Sequence, residues 1–380
     1  LGNYEEAKKC YQKLIDVKPD SINVQYNLGL VFQKLGNYEE AKKCYEKVIN
    51  INPKIAEAHN NLGIVYANIG KYDQAINCYS EAIINNKEYK EAKENLILSL
   101  TSFKSNNNNT IVKANNDLKD LYNNFVLKDF FKNENLSILF KKSNEIIKKI
   151  NDEIQDIEYK ETQTYRRNSV DLNCKRHHKI FNQNKIIPKY CFSCFKIQIE
   201  PKNILELIKL FFIFDKFEFL NNNWRKCMIE LRPEVSGTYK GLIYCSSVIE
   251  ANKILDDLNP TLNFLLIDKI GIKRGCSEFY ESFPDFKQIN NKEPNFMNYE
   301  NKWEKIEKIE DDKEILKQKN FVETLSGLSI SDFLIINNWL NYAKLIDDLS
   351  YKDLSTNFIY SNYVVKKMSN QLEFRSKEFL

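Results

Sequence analysis

The chain has 380 residues, too long for one ordinary domain, and its 43% hydrophobic content is normal for packed globular protein. A formal net charge of only +4 gives no pull toward a nucleic-acid backbone or an anionic membrane surface. The most apolar stretch, 205–220, is interrupted by Glu206, Lys209, Asp215, Lys216 and Glu218, so no membrane-spanning helix is expected.

The first hundred residues are repetitive. LGNYEEAKKCY at 1–11 recurs unchanged at 35–45, an offset of 34, and IGKYDQAINCY follows at 69–79. The same spacing relates Gly2, Gly36 and Gly70, as well as Tyr11, Tyr45 and Tyr79. It also relates Leu28–Gly29 to Leu62–Gly63 and Pro19 to Pro53. Small residues such as Ala41 and Ala75 let antiparallel helices approach closely, and proline stops the second helix of each pair. Spacing and residues resemble the tetratricopeptide repeat (TPR) family over 1–103. The resemblance implies an all-α solenoid whose concave face holds an extended peptide. Cys10, Cys44 and Cys78 occupy one equivalent position and read as packing residues. The final helix, 90–103, carries Ile97 in place of the glycine, which suits a cap. The repeat is entered part-way, so further repeats are expected upstream, and a leader peptide there stays open.

Asn27, Asn61 and Asn95 also lie 34 apart, on what the family geometry makes the inner face. A carboxamide both donates to and accepts from a peptide backbone, which binds extended chains with little side-chain selection. The pattern is similar to the asparagine ladder in repeats of O-linked N-acetylglucosamine transferases. The paired Lys/Arg clamp of chaperone-tail-binding repeats is replaced by Tyr26, Glu57, Asn60 and Glu91. The plainer alternative is a polar inner face in an Asn-rich chain.

Residues 104–173 read as a helical linker. The polar run SNNNNT at 105–110 breaks the array. Two helices are predicted between 116 and 154, with a turn near 132–135. The stretch 159–173 reads as irregular or strand-like, with Arg166 and Arg167 as a solvated pair or, alternatively, a grip for a carboxylate or phosphate.

The chemistry concentrates in CKRHHKIFNQNKIIPKYCFSC, 174–194, which holds three of nine cysteines and two of three histidines. Cys174-x-x-His177 and Cys191-x-x-Cys194 form two pairs, each able to grip one ion from a tight turn. Together they suit a closed, structural zinc site. His178 is an alternative to His177, or a group that fixes the loop. The competing reading is two core cysteines beside surface histidines. Nine cysteines in this length are not a disulfide scaffold, and a reducing cytoplasm is expected.

From 195 the period changes to two. The predicted order over 174–279 is strand, helix, strand, strand, helix, strand, the α+β ferredoxin-like βαββαβ arrangement. Ser247-x-x-Glu250 reads as a capping box, Pro260 as the end of the second helix, and 263–272 as the last strand. Tyr239 and Tyr244 are the aromatics available to the open face, and no RNA-binding motif accompanies them. Cys276 follows Lys273, Arg274 and Gly275. Cations there favour a thiolate, which makes Cys276 the one catalytic candidate or a further metal ligand.

The remainder, 280–380, reads as an aromatic loop packing on the module, then a helical tail. A charged helix or linker is predicted at 301–319, a helix capped by Ser331, and another within 356–369. The second half resembles a Cys-rich module, without known activity, that is fused to such repeats in AT-rich bacterial genomes. The leading expectation is therefore a non-catalytic interaction scaffold. It would bind a protein or peptide in the TPR groove, with the zinc-stabilised module as a second surface and no membrane or nucleic-acid partner. The alternative is a protein-modifying enzyme, such as a transferase, whose repeats recruit substrate to Cys276.

Overall fold

The computed structural model describes residues 2–154, 157, 159–167, 172, 174–232, 235–313, 322–357, 359–360, 365–366 and 368–369. Its contacts divide the chain into two compact units. The first comprises Leu1–Asn124, Lys142–Tyr159 and Gly327–Leu334; the second comprises Phe125–Lys141, Lys160–Ser326 and Ile335–Leu380.

The first unit is built from helices α1 (Gly2–Val17), α2 (Ile22–Leu35), α3 (Tyr38–Ile51), α4 (Ala56–Asn68), α5 (Tyr72–Asn85), α6 (Lys90–Ser99) and α7 (Thr110–Asn123). Each of α1 to α5 packs against the next. The repeated residues explain the packing. Tyr45 on α3 is fully buried, and its hydroxyl donates to Gln33 Oε1 at 2.8 Å. A Cβ at Gly29 would lie 2.8 Å from the Tyr45 ring, and one at Gly63 would lie 2.6 Å from the equivalent Tyr79. The glycines therefore set how closely successive helices approach. Cys44 is buried, Cys78 partly so, and Cys10 exposed. Burial pushes the Cys44 thiol up to about 11 and the Cys78 thiol up to about 12, so both behave as apolar packing groups. Ile97 is fully buried where the other repeats have glycine.

Helix α8 (Asn133–Ile154) follows a short 3-10 turn, Leu127–Phe131. The second unit contains a five-stranded sheet of β1 (Gln163–Arg166), β2 (Phe195–Ile199), β3 (Arg225–Ile229), β4 (Tyr239–Cys245) and β5 (Ile270–Arg274). The strand order is β1-β3-β4-β2-β5, with every neighbour antiparallel. Helices α9 (Cys174–Asn184) and α10 (Lys189–Phe192) precede β2; α11 (Ile204–Lys216) joins β2 to β3, and α12 (Val248–Phe264) joins β4 to β5. Both α11 and α12 pack on the sheet.

Several local expectations are corrected. The stretch after 159 supplies a short edge strand, so the sheet has five strands rather than four. Arg166 is not solvated. It is 6% exposed, pairs with the fully buried Asp215 carboxylate of α11, and lies 4.9 Å over the Phe211 ring. This pairing explains how a helix as apolar as α11 carries an acid. Phe130 of the 3-10 turn stacks on Phe212 at 4.1 Å, covering another side of the same helix. Helix α12 runs through Pro260. Pro260 and Asp256 are both exposed, so water can satisfy the carbonyl that loses its partner. The last strand accordingly starts at Ile270 rather than 263.

Toward the end of the chain lie α13 (Asn301–Lys313) and α14 (Ile330–Leu345). The cap of α14 is Ser329, not Ser331. Ser329 Oγ accepts the Asp332 amide at 3.1 Å, while Asp332 Oδ2 accepts the Ser329 amide at 3.1 Å. The helix was expected to be apolar on one side, yet residues 330–343 are all buried. In its second-unit part, Trp339 Nε1 donates to Thr162 O at 2.8 Å and Asn338 Nδ2 to Glu161 O at 2.9 Å. The helix predicted within 356–369 falls partly outside the described residues, as does the end of the 301–319 segment.

A Gly63→Ala substitution should destabilise the repeat array by about 1–3 kcal/mol, because the Tyr79 ring cannot retreat from a buried contact. Urea denaturation followed by far-ultraviolet circular dichroism checks this; an unchanged midpoint would mean the helices part without cost.

Candidate functional site

Two places carry the residues singled out from the sequence. The first is the repeat face. Asn61 is 9% exposed, and its Nδ2 donates to the Tyr26 hydroxyl at 2.9 Å. Asn95 Nδ2 donates to Asn60 Oδ1 at 2.9 Å, and Asn60 is hydrogen-bonded in turn to Tyr89. Each bond spans 35 residues, so the asparagines link one repeat to the next. They leave one N–H and carbonyl capacity on each carboxamide. Asn27 is half-buried and makes no side-chain hydrogen bond among the described residues.

The second place is a cysteine-rich corner. Helix α9 offers Cys174, exposed; His177, buried; and His178, half-buried. His177, at i+3, and His178, at i+4, both lie one turn from Cys174, so helical spacing alone does not choose between them. His177 stacks on Tyr190, with ring centroids 5.6 Å apart, and its Nδ1 is buried without a hydrogen-bond partner. Burial, then the nearby Arg176 charge, lowers its pKa to about 4. Cys191 sits on α10, and Cys194 directly precedes β2. Both are buried.

The sheet register brings Cys276 to the same corner. Phe195 of β2 pairs with Arg274 of β5, and Gly275 N donates to Cys194 O at 2.8 Å. A Cβ at Gly275 would lie 2.5 Å from Cys194 Sγ. One residue on, the Cys276 and Cys191 thiols are hydrogen-bonded to each other. His178, Cys276 and Glu278 offer ligand atoms that all lie within 4.8 Å of one another. Cys174, His177, Cys191 and Cys194 do not form such a group among the described residues.

The Cys276 thiol is lowered as the cation-rich sequence suggests, but by other groups. The hydrogen bond from Cys191 is the main cause, and the Lys196 charge adds to it. Arg274 points elsewhere. Its guanidinium lies 5.0, 4.5, 5.0 and 5.7 Å over the rings of Phe192, Phe195, Phe286 and Phe296. It donates to Phe192 O at 2.5 Å and Gln288 O at 3.0 Å. Cys276, Cys191, Phe181, Phe279, Phe286 and Trp303 belong to one apolar cluster, so the aromatic loop after 280 does pack here. Arg176, which the sequence did not single out, joins α9 to α13. It donates to Asp311 Oδ1 at 2.7 Å and to Glu307 Oε1 at 2.8 Å. Its i, i+4-spaced acidic partners on a charged helix were the available signal.

A cavity of about 260 Å³ lies beside this corner, lined by Cys194, Tyr190, Trp224, Tyr244, Cys245 and Glu250 among others. Cys276 is not among its lining residues. Glu250 is already occupied, accepting from Asn221, Asn223 and the Ser246 amide at 2.6 to 2.8 Å. The reciprocal half of its expected capping box thus goes to Ser246, while Ser247 Oγ accepts the Glu250 amide at 3.1 Å.

Away from α11 and α12, the sheet's other face carries Lys196, Lys226, Lys273, Tyr165 and Tyr244. Lys196 lies 4.9 Å over the Tyr244 ring. Tyr239 is not on that face; its hydroxyl donates to Asp348 Oδ2 at 2.7 Å. Lys226 is lowered to about 8, first by burial, then by repulsion from Lys196 and Arg232.

Residues 20–83 match the tetratricopeptide repeat model, and residues 1–36 match the TPR repeat model. The matched segment, residues 1–83, thus carries TPR repeats. Among solved structures, the crystal structure of MamA is similar at 19% identity, covering 26% of this chain and 77% of that one, with a TM-score of 0.18. No curated protein matches the chain. No helix among the described residues is long and apolar enough to cross a membrane.

Glu230 supplies a pH test. It is 2% exposed and lies between Arg232, at 2.9 Å, and Lys240, at 3.3 Å. Burial raises its pKa, but the Arg232 hydrogen bonds and the Lys240 charge together outweigh that and hold it at about 2. A depressed carboxyl contributes stability above its unfolded pKa and loses it as pH falls through the folded value. Between pH of about 4.5 and 2, Glu230→Gln should therefore flatten an acid-induced loss of roughly 3 kcal/mol. Tryptophan fluorescence reads this selectively, because all three tryptophans, Trp224, Trp303 and Trp339, lie in the second unit. An unchanged acid limb in the variant would contradict the assignment.

Proposed function

We infer that this protein is an interaction scaffold that holds an extended peptide against its TPR face. TPR repeats generally mediate protein–protein interaction. The observation that carries the finer reading is the set Asn27, Asn61 and Asn95 at 34-residue spacing. The bonds from Asn61 to Tyr26 and from Asn95 to Asn60 orient two of these carboxamides before any peptide arrives. Pre-orientation cuts the entropy lost on binding.

The segment β2 to β5 reads as a ferredoxin-like βαββαβ unit with β1 added at its edge, and it serves as the second surface. The crowding of Lys196, Lys226 and Lys273 on its open face favours acidic partner segments. The enzyme alternative has less support. Cys276 is 8% exposed and lies outside the adjoining cavity, where a substrate carbon has no approach.

Peptides selected from a random library against the full chain should bind Asn27→Ala/Asn61→Ala about 10-fold or more weakly, from the loss of two backbone-directed hydrogen-bonding groups. Cys276→Ser should leave the same affinity unchanged. Equal binding by the double variant would remove the groove reading, and peptide modification lost with Cys276→Ser would install the enzyme in its place.

A further inference from the structure

We propose that His178, Cys191, Cys276 and Glu278 form a binding site for one zinc ion. The site replaces three of the four ligands that the two sequence pairs suggested and keeps Cys191. It is independent of the peptide-groove reading.

Geometry comes first. The ring nitrogen of His178, the Cys276 sulfur and a Glu278 oxygen already lie within 4.8 Å of one another. Ligands at about 2.0–2.3 Å around a tetrahedral ion stand apart by less than that, so the three need little movement to share one. Cys191 lies outside that group of three, but its thiol is hydrogen-bonded to Cys276, which makes it the adjacent donor for the fourth position. The four come from three separate segments: α9, α10 and the turn after β5. An ion there would cross-link parts of the chain that the β2–β5 pairing only brings near.

The donor set selects the metal. Two sulfurs, one imidazole and one carboxylate favour zinc over the hard cations magnesium and calcium. Nothing in the oxidation state has to change. Binding displaces the protons of Cys191 and Cys276 to solvent. The surroundings suit a fixed ion. Phe279, Phe286, Trp303 and Phe181 exclude water from the sulfur side, while Glu278 is exposed. The solvent-facing ligand is thus the carboxylate, the one that water exchanges most readily.

The three remaining residues of the expected quartet are placed otherwise. His177 is turned to Tyr190, and Cys174 is exposed at the first turn of α9. Cys194 lies behind Gly275, with burial pushing its thiol up to about 12.

The test uses the purified full chain, dialysed against Zn²⁺ and, separately, against Co²⁺ as a spectroscopic probe. The expected result is about one zinc per chain and thiolate-to-cobalt charge-transfer absorption. His178→Ala and Cys276→Ser should each weaken zinc binding about 10-fold or more. Glu278→Gln, at an exposed position that folding tolerates, should weaken it in the same direction. Tryptophan fluorescence confirms that each variant is folded. Cys174→Ser and His177→Ala should bind as the parent does. A folded parent that takes up no stoichiometric zinc would overturn the site. So would zinc that is lost with Cys174→Ser and His177→Ala but kept with His178→Ala and Glu278→Gln.

Discussion

The cysteine corner depends on one buried cation. Arg274 is 2% exposed, and removing a guanidinium from water is costly unless its donors and its charge are both met. Four aromatic rings face its charge, and two backbone carbonyls take hydrogens from it. Those carbonyls belong to Phe192, between the cysteines of the CxxC, and to Gln288, in the loop after β5. The requirement to satisfy one side chain therefore fixes two segments that are far apart in sequence. Its Nη2 lacks a partner among the described residues, so the arrangement has little slack. With Arg274 occupied this way, the strand end must turn at Gly275, and the turn presents Cys276 to Cys191.

The two units solve the burial problem differently. In the repeats, contacts are between neighbouring helices, glycine faces tyrosine, and polar needs are met by carboxamides and hydroxyls. The second unit buries charges: Arg166 with Asp215, Lys240 with Glu230, and Arg274 among rings. Buried pairs of this kind contribute little net stability against apolar replacements, but leaving either partner alone is expensive. They restrict which alternative packings the sheet can adopt. The sheet thereby gains a defined register, and only a defined register brings residues 191, 194 and 276 together.

That difference decides what could be read from sequence. An 11-residue block repeated unchanged fixes its own spacing, so Gly63, Tyr79 and the Asn61 face were visible before any coordinates. Period-two alternation likewise placed β2, β3 and β4. The four residues of β1 are too few for a period to register, and Arg166 looked like surface because its partner Asp215 lies on another element. Pro260 misled because it sits on an exposed face, where water can reach the freed Asp256 carbonyl and the helix continues. At the corner, the CxxH and CxxC pairs were visible as spacing. What spacing cannot express is that α9 turns His178, rather than His177, toward the residue after β5. That depends on the β2–β5 register.

The thiols themselves show what the fold accomplishes. Burial pushes Cys44, Cys78, Cys194 and Cys245 up, leaving inert packing groups. Cys276 is as buried as these, yet it moves the other way, because Cys191 donates to it and Lys196 stands near. A hydrophobic core has no use for that polarity: two apolar side chains would fill the same space without a directional bond. The chain instead keeps a thiol, an imidazole and a carboxylate within 4.8 Å of one another, drawn from segments up to 100 residues apart. Bringing such metal-binding donors together from distant segments is the physical reason to treat this corner as a site rather than as packing.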